Sequence, residues 1–187
     1  MLSRILGAVV SVVLIAASGV GGYLGMTTVV DKVEAGIAPT ADPSAGLDYV
    51  VSNGTFSLAL PLPFTSEFDQ AGLEGTMLTT TTWHTDPAAE FYGVVSADLL
   101  GAQVDPQILL HAWLAGVAES GGRLTEEEEF VLGTDPARRA VVIDSDGYGY
   151  LTAVIHGTTA LLVIGVGPDN AKPSRYDEVV ASLQWYI

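Results

Sequence analysis

No cysteine occurs in the 187-residue chain. Its absence excludes disulfides, thiolate metal sites, cysteine nucleophiles and a lipid-modified cysteine, so any tether to a membrane must be polypeptide. Cations are scarce as well: seven Lys and Arg stand against 22 Asp and Glu, for a formal charge of −15. From Leu47 to Ile187 the imbalance is five basic residues, Arg123, Arg138, Arg139, Lys172 and Arg175, against 19 acidic ones. Neutralising phosphates requires clustered Lys and Arg, which argues against nucleic acid as a partner. The same charge repels the domain from anionic headgroups, except where a tether holds it nearby.

Catalytic signatures are missing too. The three histidines, His84, His111 and His156, form no H-E-x-x-H pattern, and neither a G-x-S-x-G elbow nor a phosphate-binding P-loop is present. The glycine-rich stretch Ala17 to Gly25 fails as a dinucleotide fingerprint: Gly19 and Gly21 supply two positions of G-x-G-x-x-G, but the third falls on Leu24. The expectation is a non-enzymatic protein with no cofactor and no metal.

What the sequence does have is one long uncharged run. Between Arg4 and Asp31 lie 26 consecutive uncharged residues, Ile5 to Val30, and a helix needs about 20 mainly apolar residues to cross a bilayer. Arg4 before the run and Asp31 after it favour a cytoplasmic amino terminus and an exported remainder. A cleaved signal peptide is the alternative, because Ile5 to Ile15 has the length of its apolar core, with Ala16, Ala17 and Ser18 at the cleavage position. Either way the rest of the chain is extracytoplasmic. Gly21 and Gly25 form a G-x-x-x-G pair of small residues. The expected organisation is a membrane anchor or signal segment at 1–30, a linker rich in Pro, Ala, Gly and Asp at 31–47, and one domain at 48–187.

Periodicity within that domain reads as strands and two helices. NGTFSLALP (53–61) alternates as a half-buried strand stopped by Pro61 and Pro63; TMLTTTTWH (76–84) and EFYGVVSADL (90–99) are expected to pair as a hairpin. DPQILLHAWLAGVAES (105–120) is a helix with Asp105 as N-cap, Pro106 at the first position and an expected apolar face of Ile108, Leu109, Ala112, Trp113 and Val117. Four strands follow as a meander, RLTEEEEFVLG, ARRAVVIDSDG, YGYLTAVIHG and TALLVIGVG, with turns at Asp146-Gly147 and His156-Gly157-Thr158. Ala160 to Val166 is apolar almost throughout and belongs at the centre of the sheet. A last helix, from about Arg175 to Leu183, has Ser174 as N-cap with Asp177 three residues on, and an inward face of Tyr176, Val179, Val180 and Leu183. The fold class is α+β: an antiparallel sheet of about six or seven strands with helices laid on it, preceded by one transmembrane helix.

The order of these elements carries a resemblance. The strand GTFSLALP, the helix closed by Gly121-Gly122, the strand entering through G-x-x-x-A-R (Gly133 to Arg138), the two apolar hairpin strands and the last helix running into SLQW resemble the Mog1/PsbP-like superfamily over about Asp48 to Ile187. That group includes oxygen-evolving photosystem accessory proteins and LpqN-type cell-envelope lipoproteins, whose lipidated cysteine this chain lacks. The resemblance implies an accessory or adaptor role without naming a partner.

Several clusters are candidates for chemistry. His84, Asp86 and Glu90 are close enough in sequence to hold a metal or form an acid/base pair, and a hydrolase using His84 and Asp86 is the least favoured functional reading. Asp144 and Asp146 in DSDGYG resemble half of a calcium loop, although Ile155 stands where its bidentate Glu belongs. Glu126, Glu127, Glu128 and Glu129 suit a protected edge strand or a docking strip for a basic partner. Leu109, Trp113 and Val154 would line a pocket for an envelope lipid or glycolipid between sheet and helix. The leading expectation is an envelope accessory domain that binds or stabilises a membrane protein complex; a lipid-binding module is the alternative.

Overall fold

The computed structural model describes residues 29–31, 46–73, 76–86, 90–98, 105–119, 122–144, 147–168 and 171–186. Eleven strands and two helices are laid out along them: β1 (Val29–Asp31), β2 (Tyr49–Ser52), β3 (Phe56–Leu60), β4 (Phe64–Leu73), β5 (Thr76–Thr85), β6 (Phe91–Asp98), α1 (Pro106–Glu119), β7 (Arg123–Leu132), β8 (Asp135–Asp144), β9 (Gly147–His156), β10 (Thr159–Val166), α2 (Tyr176–Ala181) and β11 (Gln184–Trp185). Eight strands form one antiparallel sheet in the order β1-β4-β5-β6-β10-β9-β8-β7, and three form a second in the order β11-β3-β2. The fold is a sheet-rich α+β arrangement, with more strands than the periodicity predicts.

β10 is the strand on which both cores are built. Its residues are apolar almost throughout because neither face meets water. Ala160, Leu162 and Ile164 point to a core closed by Leu110, Trp113 and Leu114 of α1. Leu161 and Val163 point the other way, toward Val51, Phe56, Leu58 and Leu60 of the small sheet and Tyr176, Val179 and Val180 of α2. Two-residue hairpins tie β7 to β8 and β9 to β10, with Gly133 and Gly157 at positive φ as tight turns require. β10 returns to pair along its whole length with β6, which joins the meander to the β4–β5–β6 half of the sheet.

Several local expectations are corrected. The inward face of α1 is Leu110, Trp113 and Leu114, whereas Ile108 is 65 % exposed and Ala112 is exposed. At about 100° per residue, positions 110, 113 and 114 share a stripe that 108 and 112 face away from. Asp105 does cap the helix, accepting from the N–H of Gln107 at 2.8 Å. β3 is buried on both sides because it is the middle strand of its sheet and α2 lies beside it, with the Ser182 hydroxyl accepting from the Ala59 N–H at 2.9 Å. No side-chain cap closes α2; Ser174 turns to Glu90 and Asp177 pairs with Lys172. The helix stops at Ala181 because Gln184 and Trp185 pair with β3. The β8–β9 hairpin closes on the pair Asp144 and Gly147, so Gly147 stands in the ladder and not in the turn; Asp146 lies outside the described residues.

Polar β4, FTSEFDQAGL, carries no apolar period, yet it pairs with β5 over ten residues. The domain boundaries shift as well. Leu47, assigned to the linker, is buried in the core beside α2, and β1 pairs with β4 from Val29 to Asp31. The sheet therefore takes up the last two residues of the uncharged run. Among the described residues no helix is long and apolar enough to cross a membrane, and residues 1–28 lie outside them.

Leu110→Ala is expected to destabilise the protein by about 2–5 kcal/mol, because a buried leucine leaves a cavity behind. Ile108→Ala should change stability by no more than about 0.5 kcal/mol. Chemical denaturation of the two variants checks the assignment of the helix face.

Candidate functional site

β7 is one edge of the large sheet, opposite β1, and the four glutamates sit in it. Between Thr125 and Glu128 the register with β8 slips by one residue, and Glu126 takes a positive φ of 52°. A bulge of this kind bends an edge and spoils it as a template for another strand. The slip also breaks simple alternation. Glu127 and Glu129 meet on the α1 side, where both bind the guanidinium of Arg138. Arg138 is only 12 % exposed, and its Nε also donates to Gln107 of α1 at 3.3 Å. His111 of α1 reaches the same Glu127 carboxylate at 2.6 Å. On the other side Arg139 donates to Glu128 from Nε and Nη2, at 2.9 and 2.6 Å, and lies over the Phe130 ring.

Three of the four carboxylates are thus internal struts that fasten α1 and β8 to the edge. Glu126, at the bulge, faces a half-open cleft of about 470 Å³ between the β7–β9 surface and α2. Val141, Tyr150 and Val180 make its apolar floor, and Arg139 and Lys172 line its rim beside Asp177. Lys172 is already paired with Asp177 at 2.6 Å. Tyr176, under the cleft, donates to Thr152 at 3.0 Å and fills the space over Gly165, where a Cβ would come within 2.4 Å of its ring. Burial pushes the Tyr176 phenol well above its ordinary value, so it is a neutral donor and no base.

The other predicted clusters disperse. His84 Nε2 lies 3.2 Å from the Thr65 hydroxyl on the neighbouring strand, and Asp86 is exposed. Glu90 joins a different network, accepting from the Ser174 N–H at 2.9 Å, the Ser174 hydroxyl at 3.3 Å and the Tyr92 hydroxyl at 2.9 Å. Burial pushes the Glu90 carboxyl up, but these three donors outweigh it and hold it below its ordinary value. Burial, with the Glu90 bond second, pushes Tyr92 up to about 12. The group latches β6 to the start of α2. Among the described residues no three His, Asp or Glu side chains are placed to hold a metal. The side chain of Asp144 lies outside the described residues.

Trp113 and Val154 do not line one pocket. Trp113 belongs to the α1 core, whereas Val154 pairs across the ladder with Leu161, whose side chain belongs to the opposite core. The sheet itself separates them, and neither lines the cleft. The Leu109 side chain lies outside the described residues. Two arrangements have no signature in the sequence: the Glu90 latch, whose partners are 84 residues apart, and a clamp at the far end of the sheet. In that clamp His156 stacks on Trp185, ring centroids 4.7 Å apart, and its Nδ1 lies 2.9 Å from the buried Asp135.

The Glu127 network has a testable pH dependence. Burial alone would raise this carboxyl, but hydrogen bonds and charge from Arg138 and His111 hold it below its ordinary 4.5. A depressed carboxyl stabilises the fold above its unfolded pKa and loses that contribution as pH falls through the folded value. Glu127→Gln should therefore melt lower than the parent protein at about pH 6 and approach it by about pH 3. Thermal unfolding across that range checks this; a gap that stays constant would contradict it.

No protein-family model matches the chain, and no curated protein matches it. Among solved structures it is similar to an X-ray structure of an uncharacterised protein from Mycobacterium smegmatis, with 11 % identity over 92 % of this chain and 93 % of that one. The TM-score of 0.21 carries no argument about fold or function.

Proposed function

We propose that this chain is a membrane-tethered extracytoplasmic accessory domain that binds or stabilises a membrane protein complex of the cell envelope. The observation that carries the reading is the uncharged run from Ile5, long enough to span a bilayer, which leads into β1 at the edge of a folded domain. The resemblance to the Mog1/PsbP-like superfamily supports the same role.

Charge distribution supports the kind of partner. Four of the five cations of the domain are engaged by its own carboxylates: Arg138 by Glu127 and Glu129, Arg139 by Glu128, Lys172 by Asp177 and Arg175 by Glu178. The field the domain presents outward is therefore acidic, and it is complementary to a basic surface. Attraction between such surfaces falls off over about 8 Å at physiological salt.

The full-length protein is expected to sediment with membranes, resist alkaline carbonate and leave them only in detergent. It should keep an intact amino terminus by mass and co-elute with a stoichiometric membrane protein that dissociates as salt is raised. A soluble protein beginning near Gly19 and eluting alone would overturn the tether. Binding indifferent to salt would overturn the electrostatic part.

A further inference from the structure

We propose that the cleft beside α2 is a docking site for a basic segment of a partner protein, an arginine or lysine side chain flanked by an apolar one. This deepens the preceding reading that the partner surface is basic, and rests on it.

The bulge in β7 places the residue that carries the site. Thr125 pairs with Val141 and Glu128 with Arg139, so Glu126 and Glu127 together stand opposite Ala140. Glu127 takes the place that faces Arg138 and α1. Glu126 is the extra residue, held at a φ of 52° and lining the cleft with Glu128. Positive φ is unfavourable for a side chain of this kind, and bulges that re-aim one residue are common beside binding sites.

Charge complementarity identifies the occupant. Glu127, Glu128 and Glu129 are each held by an arginine of this domain, whereas the Glu126 side chain has no hydrogen bond or ion pair among the described residues. Both cations that line the cleft are committed, Arg139 to Glu128 and Lys172 to Asp177. Three carboxylates against two cations leave one negative charge in excess, and it sits on Glu126. That balance suits a cation and disfavours an anion. No three carboxylates are placed to hold a metal among the described residues, so the matching cation is organic.

The same face already holds such a cation. The Arg139 guanidinium lies 5.7 Å from the centroid of the Phe130 ring while it donates to Glu128. Glu126 and the half-buried Tyr150 repeat the acid and the ring on the cleft wall. Thr125, Val141 and Tyr150 are successive partners across β7, β8 and β9, which sets the outer two backbones about 10 Å apart. A basic side chain entering there meets the Glu126 carboxylate and the π face of Tyr150, with its methylene stem over Val141 and Val180. Tyr176 is fixed beneath by bonds to Thr152 and the Val163 carbonyl, at 3.0 and 3.1 Å. The volume of about 470 Å³ exceeds what one side chain fills, and the apolar floor takes its neighbour. The two ion pairs on the rim are exposed and weak, so they yield readily to an incoming chain.

The test uses the full-length protein in a zwitterionic detergent and a capped peptide, GSLRLSG, labelled with a neutral dye and followed by fluorescence anisotropy. A second peptide carries citrulline, the neutral analogue, in place of arginine. The arginine peptide is expected to bind about tenfold more tightly than the citrulline one, and Glu126→Gln should remove about that factor. Asp86→Asn, which removes an exposed carboxylate outside the cleft, should change binding less than about twofold. Equal losses in the two variants, or equal binding of the two peptides, would overturn the site. Spermidine binding as tightly as the peptide, and through Glu126, would overturn a protein segment as the occupant. A membrane protein that co-elutes with the parent and is held equally well by Glu126→Gln at every salt concentration would overturn this site and leave the preceding reading standing. No co-eluting partner at all would overturn the preceding reading, whatever the peptides show.

Discussion

Everything in this fold depends on β10 having no wet face. A strand buried on both sides must be covered twice, and the chain covers it with unlike elements: α1 on one face, the β11-β3-β2 sheet and α2 on the other. α1 is amphipathic with a period of three or four residues, whereas β3 of the small sheet is buried on both sides with α2 beside it. The ladder through β6, β10 and β9 holds the two cores in one body because the same backbone carries alternate side chains to each. The Glu90 latch, the Glu127–Arg138 strut and the His156 clamp then fix the covers at their margins.

A strongly acidic chain with few cations faces a conflict between solubility and cohesion. It places its arginines where one guanidinium can satisfy more than one acceptor, as Arg138 does with Glu127, Glu129 and Gln107. Charge-assisted contacts at a partly buried guanidinium are stronger than exposed pairs, which contribute less than about 1 kcal/mol. Three of the glutamates in the run that looks in the sequence like a docking strip are engaged by these arginines, although all four stay exposed on the edge strand.

Much of the architecture was legible because it rests on local signals. The Asp105 cap, the Gly157 turn, the meander and the central position of Ala160 to Val166 all follow from spacing and turn chemistry, and the structure has them. Long-range features were not legible. β4 has no apolar period, so its pairing with β5 could not be read from the sequence. Ser174 looked like a helix cap because nothing in the sequence shows that Glu90, 84 residues away, takes its N–H. Trp113 and Val154 fall on opposite faces for a simple reason: both are apolar, and sequence alone does not say which face of the sheet each meets. The charged cleft under Glu126 required the bulge, which a run of four glutamates conceals.

The central claim is that β10, buried on both faces, holds the two cores in one body. Amide hydrogen exchange on the purified protein tests it most directly, with the slowest amides reporting global unfolding. The result the account predicts is that the amides of Ala160 to Ile164 are among the slowest, and that Leu110→Ala on one side and Val179→Ala on the other each speed them in step with the loss of global stability. Protection in β10 that responds to only one of the two variants would contradict it.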